Sequence, residues 1–255
     1  MTSTLEQTSP RSTSYALASA LPLLCAGLVL AAALTLVLGV IGLAIGLVAT
    51  ALAVVVRVRT FGVGIDETII GQLGAGLADG PEAATLHNLV DGLSATAGVP
   101  IPQLLVLETP SVNMLVVGTD VDHATIIATS GLLAQLSRVE LEGVVARAFV
   151  QLRQGDVYSA TMGIRLERSP MTRLFASVLG HRTDLDDIDR DVLLDRAAMT
   201  LTRYPPGLIG ALSTCLRVGT MVSAGSPLLR RLWLVDPLTA DADSLTHRIE
   251  VLRLL

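Results

Sequence analysis

A long stretch of the sequence, between Arg11 and Arg57, contains no charged residue. Its apolar part, Tyr15–Val56, is about twice as long as the roughly 20 residues that one transmembrane helix needs. A single helix would leave about half of this segment in water. We therefore expect a transmembrane hairpin of two helices, Tyr15–Leu36 and Val40–Val56, with its turn near residues 39–42.

The residues that flank the hairpin predict its orientation. Arg57 and Arg59 directly follow the second span, and basic residues favour the cytoplasmic side of a membrane. With two spans, the N-terminus and the domain after the hairpin are both expected to face the cytoplasm. A cleavable signal peptide is not expected, because its apolar core is only about 7–15 residues long. Cys25 and Cys215 offer no disulfide framework and are expected to be buried free thiols.

Composition limits what the rest of the chain does. Of the 255 residues, 51% are hydrophobic and only 16% are charged, with a mean hydropathy of +0.62. These values exclude a wholly soluble protein, a disordered chain and a disulfide scaffold. The net charge of −5 argues against nucleic acid as a partner, whereas the hairpin makes the lipid bilayer one. We divide the chain into a tail (1–14), the hairpin (15–56), a Gly-rich linker (57–80) and one domain (81–255).

The domain is predicted to be α+β and mainly helical. Three short apolar stretches read as strands, and Thr119–Asp122 joins the last two as an antiparallel hairpin. Ser137 and Glu140 form a capping box that starts a helix ending at Gly155. The other predicted elements are strands at Gln103–Glu108, Val112–Gly118 and Ala124–Thr129, and helices at Pro81–Ala97, Val157–Leu166, Met171–Leu179, Val192–Thr202, Pro205–Leu216 and Leu245–Leu255.

Several segments, in this order, resemble the HtpX-like integral-membrane zinc metallopeptidases, gluzincin relatives of the prenyl-protein (CAAX) endopeptidases. They are AGVPIPQLLVLET (97–109), SVNMLVVGTD (111–120), ATIIATSGLLAQLSRVELEGVVA (124–146), DRAAMTLTRYPPGLIGAL (195–212), LWLVDPL (232–238) and SLTHRIEVLRLL (244–255). The resemblance implies a zincin-like domain with a small antiparallel sheet, in a bacterial cytoplasmic membrane. It also implies a role in membrane-protein quality control.

The zinc motif of that family, H-E-x-x-H, is replaced in this chain. Two His one helical turn apart bind zinc, and the Glu activates the attacking water. The matching positions carry Arg147, Ala148 and Gln151 in place of these three residues. The resemblance places the third ligand at Asp191, with Asp195 as the second acidic residue of that helix. Because arginine has no lone pair to give and alanine moves no proton, neither catalysis nor a metal cofactor is expected.

Other candidate sites in the sequence are weaker. Asp120, Asp122 and His123 could ligate a divalent ion, but a polar hairpin tip explains them as well. The acidic run His181–Asp191 lacks the Gly and Glu of a calcium loop and is expected to be an irregular solvated segment. Cys215 lies on an apolar helix face, where packing is the simpler interpretation.

The replaced motif leads to a structural prediction and to a functional one. We expect Arg147 to pair with Asp191 or Asp195 and so to tie their helices together as a metal would, with Arg147 pointing into solvent as the alternative. The chain is then a pseudopeptidase that binds or regulates membrane-protein clients or an active partner peptidase. The strand residues Val112, Asn113, Met114, Leu115 and Val116 are the predicted client-binding edge. The alternatives are an active zinc metalloendopeptidase and a structural subunit of a membrane complex.

Overall fold

The computed structural model describes residues 10–60, 64–155, 157–158, 160–162, 164, 187–223, 226–239 and 242–255. The chain divides into two compact units, one made of residues 1–65 and 162–182 and the other of residues 66–161 and 183–255. The predicted helix at Met171–Leu179 and the N-terminal part of the acidic run, 181–186, lie outside the described residues.

The first unit contains the expected helical hairpin. Helix α1 spans Pro10–Leu38 and helix α2 spans Val40–Thr60, with Gly39 alone between them at φ +61°. A single residue can reverse the chain here because glycine adopts a positive φ without steric cost. Both helices are long and apolar enough to cross a membrane, and most of their large apolar side chains are exposed. The prediction of two long apolar helices joined by a turn near residues 39–42 is confirmed.

Small residues hold the two hairpin helices together. A Cβ on Gly27 would clash with the Thr50 side chain, and a Cβ on Gly46 would lie 2.5 Å from the Ala31 Cα. The Thr50 hydroxyl is satisfied within its own helix by the Gly46 carbonyl at 2.7 Å. Helices in a lipid bilayer have no hydrophobic driving force for association. Close approach of their backbones stabilises the pair instead, because it increases van der Waals contact.

The second unit is α+β and mainly helical, as predicted. Its helices are α3 (Ile65–Leu73, whose first residue belongs to the first unit), α4 (Ala84–Ala97), α5 (Ser130–Gln135), α6 (Arg138–Gln154), α7 (Asp187–Thr202), α8 (Pro205–Val218) and α9 (Ala242–Arg253), and its strands are β1 (Gly76–Leu77), β2 (Gln103–Leu107), β3 (Met114–Gly118) and β4 (Ala124–Thr129). Among the described residues, 3₁₀ helices lie at Pro81–Ala83 and Pro227–Leu232. Within the range expected to be a linker, the structure therefore contains α3 and β1.

The sheet is mixed rather than antiparallel, which corrects the prediction. Its strand order is β1-β2-β4-β3, with β3 antiparallel to β4 and β2 parallel to β4. The tight connection between β3 and β4 fixes that pair, as expected. That connection does not determine which strand pairs with β2. Strand β4 lies between β2 and β3, and all six of its residues are buried.

Helices α6, α7 and α9 carry the residues of interest, and local signals set their ends. The capping box of Ser137 and Glu140 is present at the start of α6, and Gly155 ends that helix at φ +72°. Helix α7 begins at Asp187 instead of Val192, so the prediction of an irregular segment through Asp191 is wrong. The earlier helix start places Asp191 and Asp195 on consecutive turns of one helix face.

Candidate functional site

Arg147 lies in the middle of α6 and is almost completely buried, with 1% of its surface exposed. The residues of α6 from Gly143 to Leu152 are all buried, because the helix packs against α4, α7 and α8. Buried guanidinium groups need partners, since an unpaired charge in the interior is very costly. The buried guanidinium group of Arg147 therefore needs a negatively charged partner from a neighbouring element.

Helix α7 supplies that charge from two consecutive turns. Arg147 Nε donates to Asp195 Oδ1 at 2.8 Å, and Arg147 Nη2 donates to Asp191 Oδ1 at 2.7 Å. Asp195 is fully buried, whereas the Asp191 side chain is 21% exposed. The structure thus brings together Arg147 and both of the aspartates that the sequence suggested as its partners. The Arg147 guanidinium group binds both carboxylates.

A second arginine, Arg248 on α9, completes the cluster and was not predicted from the sequence. Arg248 Nε and Nη2 donate to the two oxygens of Asp195 at 2.8 and 2.9 Å, and Nη1 donates to the Leu234 carbonyl at 2.9 Å. Its sequence neighbours give a signal that could have found it. Leu245, Ile249 and Leu252 form the buried stripe of α9, and Arg248 lies within that stripe. A charge on the apolar face of a helix indicates a buried partner.

For each of the two arginines, burial lowers the pKa and pairing with the aspartates raises it. Burial lowers the pKa of Arg147, although Asp191 and Asp195 act against this effect. Burial also opposes the charge of Arg248, but Asp195 and Asp191 outweigh it and the pKa of Arg248 rises. The difference follows from geometry, because Arg248 meets Asp195 with two parallel hydrogen bonds. Both guanidinium groups remain cations at neutral pH.

The residues of the cluster do not fit a zinc ion. Asp191 and Asp195 could ligate zinc, but their oxygens already accept hydrogen bonds from guanidinium groups. Arg147 has no lone pair, and neither Ala148 nor Gln151 is among the usual zinc ligands. Within the part of the chain that the structure describes, no group of three His, Cys, Asp or Glu residues could hold a metal. Gln151 is buried, and its Nε2 has no hydrogen-bond partner there.

The predicted client-binding edge is covered by the chain itself. Strand β3 is the last strand of the sheet, but Val112 N donates to the Gly219 carbonyl at 2.9 Å. Further along, Leu234 N donates to the Met114 carbonyl at 2.8 Å, and Trp233 forms a β-bridge with Leu115. All five predicted residues, Val112 to Val116, are buried. The expectation of an open edge is therefore wrong, because Gly219, Trp233 and Leu234 already contact it.

Asn113 fastens this covering segment to the sheet. Its Nδ2 donates to the carbonyls of Thr220 and Val235 at 3.0 and 2.9 Å, and its Oδ1 accepts from the main-chain N–H groups of Met114 and Val235. The main-chain groups of Asn113 are bonded to Thr129. A fully buried amide with all its hydrogen bonds made is a rigid connection between distant segments.

The remaining candidates have structural explanations. His123 Nδ1 lies 2.7 Å from Asp120 Oδ1 at the exposed tip of the β3–β4 hairpin, and this hydrogen bond raises the pKa of His123. Cys215 is buried and lines an apolar cavity of about 390 Å³, and burial raises the pKa of its thiol to about 12. A thiol that stays protonated is no nucleophile at neutral pH. Cys25 is a free, exposed thiol within α1, which corrects the expectation that it is buried.

Comparison with known proteins gives consistent relatives. The chain is 28% identical over 211 residues to a protein named Protease HtpX homolog from Dictyoglomus turgidum, covering 70% of this chain and 69% of the relative. A Dictyoglomus thermophilum protein of the same name is 28% identical over 228 residues, 74% of this chain and 75% of the relative. These similarities support an HtpX-like family.

A higher identity is confined to a shorter region. A Protease HtpX homolog from Caldanaerobacter subterraneus subsp. tengcongensis is 36% identical over 97 residues, which are 38% of this chain and 32% of the relative. No protein-family model matches the chain, and no solved structure matches it. The relatives, together with the two apolar helices, indicate a membrane protein related to HtpX-like proteases.

Proposed function

We propose that this chain is a membrane-anchored pseudopeptidase, an HtpX-like protein that binds or regulates other membrane proteins without cleaving them. The observation that carries the proposal is the position of Arg147, whose guanidinium lies 2.7–2.8 Å from Asp191 and Asp195. Under the proposed correspondence with the zinc motif, a permanent cation stands where a metal ligand is needed. Three helices, α6, α7 and α9, are joined there by hydrogen bonds.

The chemistry of hydrolysis has no support in the residues of this cluster. Zinc peptidases need an ion that polarises the carbonyl and a carboxylate that takes a proton from water. Ala148 offers no proton acceptor, and the carboxylate of Asp195 accepts three hydrogen bonds from two arginines. The oxygens of Asp195 are therefore already engaged in charge-assisted hydrogen bonds.

The membrane anchor and its orientation belong to the same proposal. The bilayer is the first partner, through α1 and α2, and Arg57 and Arg59 in the last turn of α2 favour a cytoplasmic location of the second unit. The other proposed partners are membrane-protein clients or an active partner peptidase, in membrane-protein quality control. A bacterial cytoplasmic membrane is the proposed location, and nucleic acid is not a proposed partner.

An active zinc metalloendopeptidase is the second candidate, and the printed name of the relatives favours it. Zinc content separates the two. The full chain, purified in detergent, is expected to hold no stoichiometric zinc and to cleave no model membrane-protein substrate. Stoichiometric zinc in the unaltered chain that is lost in Asp191→Ala, but kept in the control Asp189→Ala on the exposed face of α7, would overturn the proposal.

Restoring the motif tests the correspondence of positions directly. The combined substitutions Arg147→His, Ala148→Glu, Gln151→His and Asp191→Glu supply two imidazoles, a general base and a longer carboxylate ligand. We expect this variant to bind about one zinc per chain, since Arg147 contacts Asp191 across α6 and α7 and position 151 lies one helical turn after position 147. A folded variant without zinc would show that the four positions do not correspond to the zinc site of the relatives.

A further inference from the structure

The apolar cavity of about 390 Å³ is formed by the C-terminal end of α8 and the start of α9. Cys215 and Leu245 are buried in its wall, and Pro110 and Ser111, which precede β3, also line it. The residues of the wall are distinct from the four charged residues of the ion cluster. Small-molecule sites in proteins have volumes of about 300–1,000 Å³, so this cavity is large enough for a ligand.

Hydrogen bonds within the protein satisfy most polar groups of the wall. The carbonyls of residues 219–221 each accept a hydrogen bond from one of residues 111–113. The thiol of Cys215 donates to the Val112 carbonyl at 3.5 Å. Apolar cavities stay dry when their walls offer water few partners, and a polar ligand would lose its own hydrogen bonds there. The occupant that suits this wall is therefore a hydrocarbon chain.

The exposed part of the wall is also apolar. Leu216, Val218 and Met221 line the cavity and have 40%, 39% and 55% of their surfaces exposed. Arg217 lies between the first two in the last turn of α8 and is exposed as well. Exposed apolar residues around a pocket mark an interaction site, and arginine suits a phosphate group. Hydrocarbon and phosphate are the two parts of a phospholipid.

The membrane anchor provides the nearest source of such a ligand. In the sequence, five residues, 61–65, separate the end of α2 from the start of the second unit. An extended chain covers at most about 3.6 Å per residue, so the second unit begins within roughly 20 Å of the end of α2. Phospholipids of the same bilayer are therefore within its reach.

We propose that this cavity binds one acyl chain of a bilayer phospholipid, with the phosphate of that lipid beside Arg217. Binding holds the end of α8 at the lipid surface, in addition to the anchor that the hairpin provides. The inference goes beyond the proposed function, because it needs a membrane location but not the loss of zinc. The two can therefore fail separately.

Photo-crosslinking of the full chain in phospholipid nanodiscs tests the site. The discs contain phosphatidylglycerol with a diazirine near the end of one acyl chain, and mass spectrometry locates the labelled residues. We expect label in α1 and α2, which serve as the internal standard, and also in residues 215–221 of the second unit. Label confined to α1 and α2 would overturn the proposal.

Filling the cavity separates acyl binding from general contact with lipid. Ala242, an exposed residue at the start of α9, lines the cavity, and Ala242→Trp should lower the label in residues 215–221 at least about fivefold. His247→Trp is the matched control, at an exposed position of the same helix outside the cavity wall. Label in Ala242→Trp equal to that in His247→Trp would refute the cavity as the acyl site.

Rim variants leave the buried wall intact and cover the case in which Ala242→Trp does not fold. Met221→Glu should lower the label at least about fivefold, because a carboxylate would be buried against hydrocarbon. Ile101→Glu, at a position that is 63% exposed and outside the wall, should not. Arg217→Gln should lower it about fivefold, the effect of one basic residue near anionic lipid. Equal label in Met221→Glu and Ile101→Glu would contradict the proposal.

The source of the acyl chain needs its own comparison. A free fatty acid with the same diazirine is added to the full chain in detergent and, separately, to nanodiscs without labelled phospholipid. Label of residues 215–221 by the fatty acid alone would refute a bilayer phospholipid as the ligand. Crosslinks between two copies of the chain at these residues, in place of lipid label, would assign the rim to self-association and also overturn the proposal.

Discussion

Removing the Asp195 carboxylate is the most severe single change that the cluster offers. Asp195 is fully buried and accepts three hydrogen bonds, one from Arg147 and two from Arg248. Asp195→Ala leaves both guanidinium groups in the interior with only the half-buried Asp191 nearby. Breaking a buried pair in this way costs about 3–5 kcal/mol, because the remaining charge has lost its compensation.

Urea unfolding followed by tryptophan fluorescence measures this loss. Trp233 is the only tryptophan and is buried in the second unit, so its emission reports on that unit alone. With a slope of about 2 kcal/mol per molar urea, a loss of 4 kcal/mol lowers the midpoint by about 2 M. Asp189→Ala, an exposed position on the same helix, should change the free energy of unfolding by less than about 0.5 kcal/mol.

An apolar replacement of the cluster tests why Asp195→Ala lowers the free energy of unfolding. It shows whether the cause is the loss of a partner for the buried charges. The combined variant Arg147→Met, Asp195→Leu and Arg248→Met leaves no buried unpaired charge, and Asp191 keeps Arg190 within 3.5 Å. Such replacements of buried ion networks are often neutral or stabilising. We expect this variant to unfold at a higher urea concentration than Asp195→Ala. If Asp195→Ala unfolds like Asp189→Ala, the cluster is not a structural element of the domain.

Three further changes test the other contacts. Asn113→Ala should lower the free energy of unfolding by at least about 2 kcal/mol in urea, since two buried carbonyls lose their donors, whereas the exposed Asn88→Ala should not. Gly46→Leu should lower the melting temperature in detergent, because even its Cβ would lie 2.5 Å from a Cα of α1. His123 should titrate above 6.5 by NMR, and Asp120→Asn should reverse this rise. The raised pKa makes this pairing stabilising below about pH 6.5 and lost as pH rises through the folded value.

The sequence predicted what depends on local rules. The uncharged stretch and Gly39 determine the two spans and their turn, because neither requires knowledge of distant residues. Ser137, Glu140 and Gly155 determine the ends of α6 through capping and a left-handed glycine. The predictions that were wrong depend on contacts between residues far apart in the sequence. The parallel pairing of β2 with β4 places β3 outside both, and no turn signal encodes that order.

At the candidate site, too, some contacts could be predicted from the sequence and others depend on how distant segments pack. Arg147 and its two aspartates were suggested by charge and by the resemblance, and all three meet. The covered edge of β3 depends on Asn113 contacts with residues 107 and 122 positions away, which no periodicity reveals. Arg248 stood in an apolar stripe of α9, but its partner becomes apparent only when α9 packs against α7.

A guanidinium can take over the mechanical role of a metal ion without its chemical role. Zinc joins helices through ligands from each, and here Arg147 and Arg248 join α6 and α9 to the same two carboxylates of α7. The planar fork of arginine suits this task, because it meets two oxygens at fixed directions. It has no empty orbital for a carbonyl oxygen and cannot lower the pKa of bound water as zinc does. Under the proposed correspondence, the two arginines therefore keep α6, α7 and α9 joined at the position where the relatives would bind zinc.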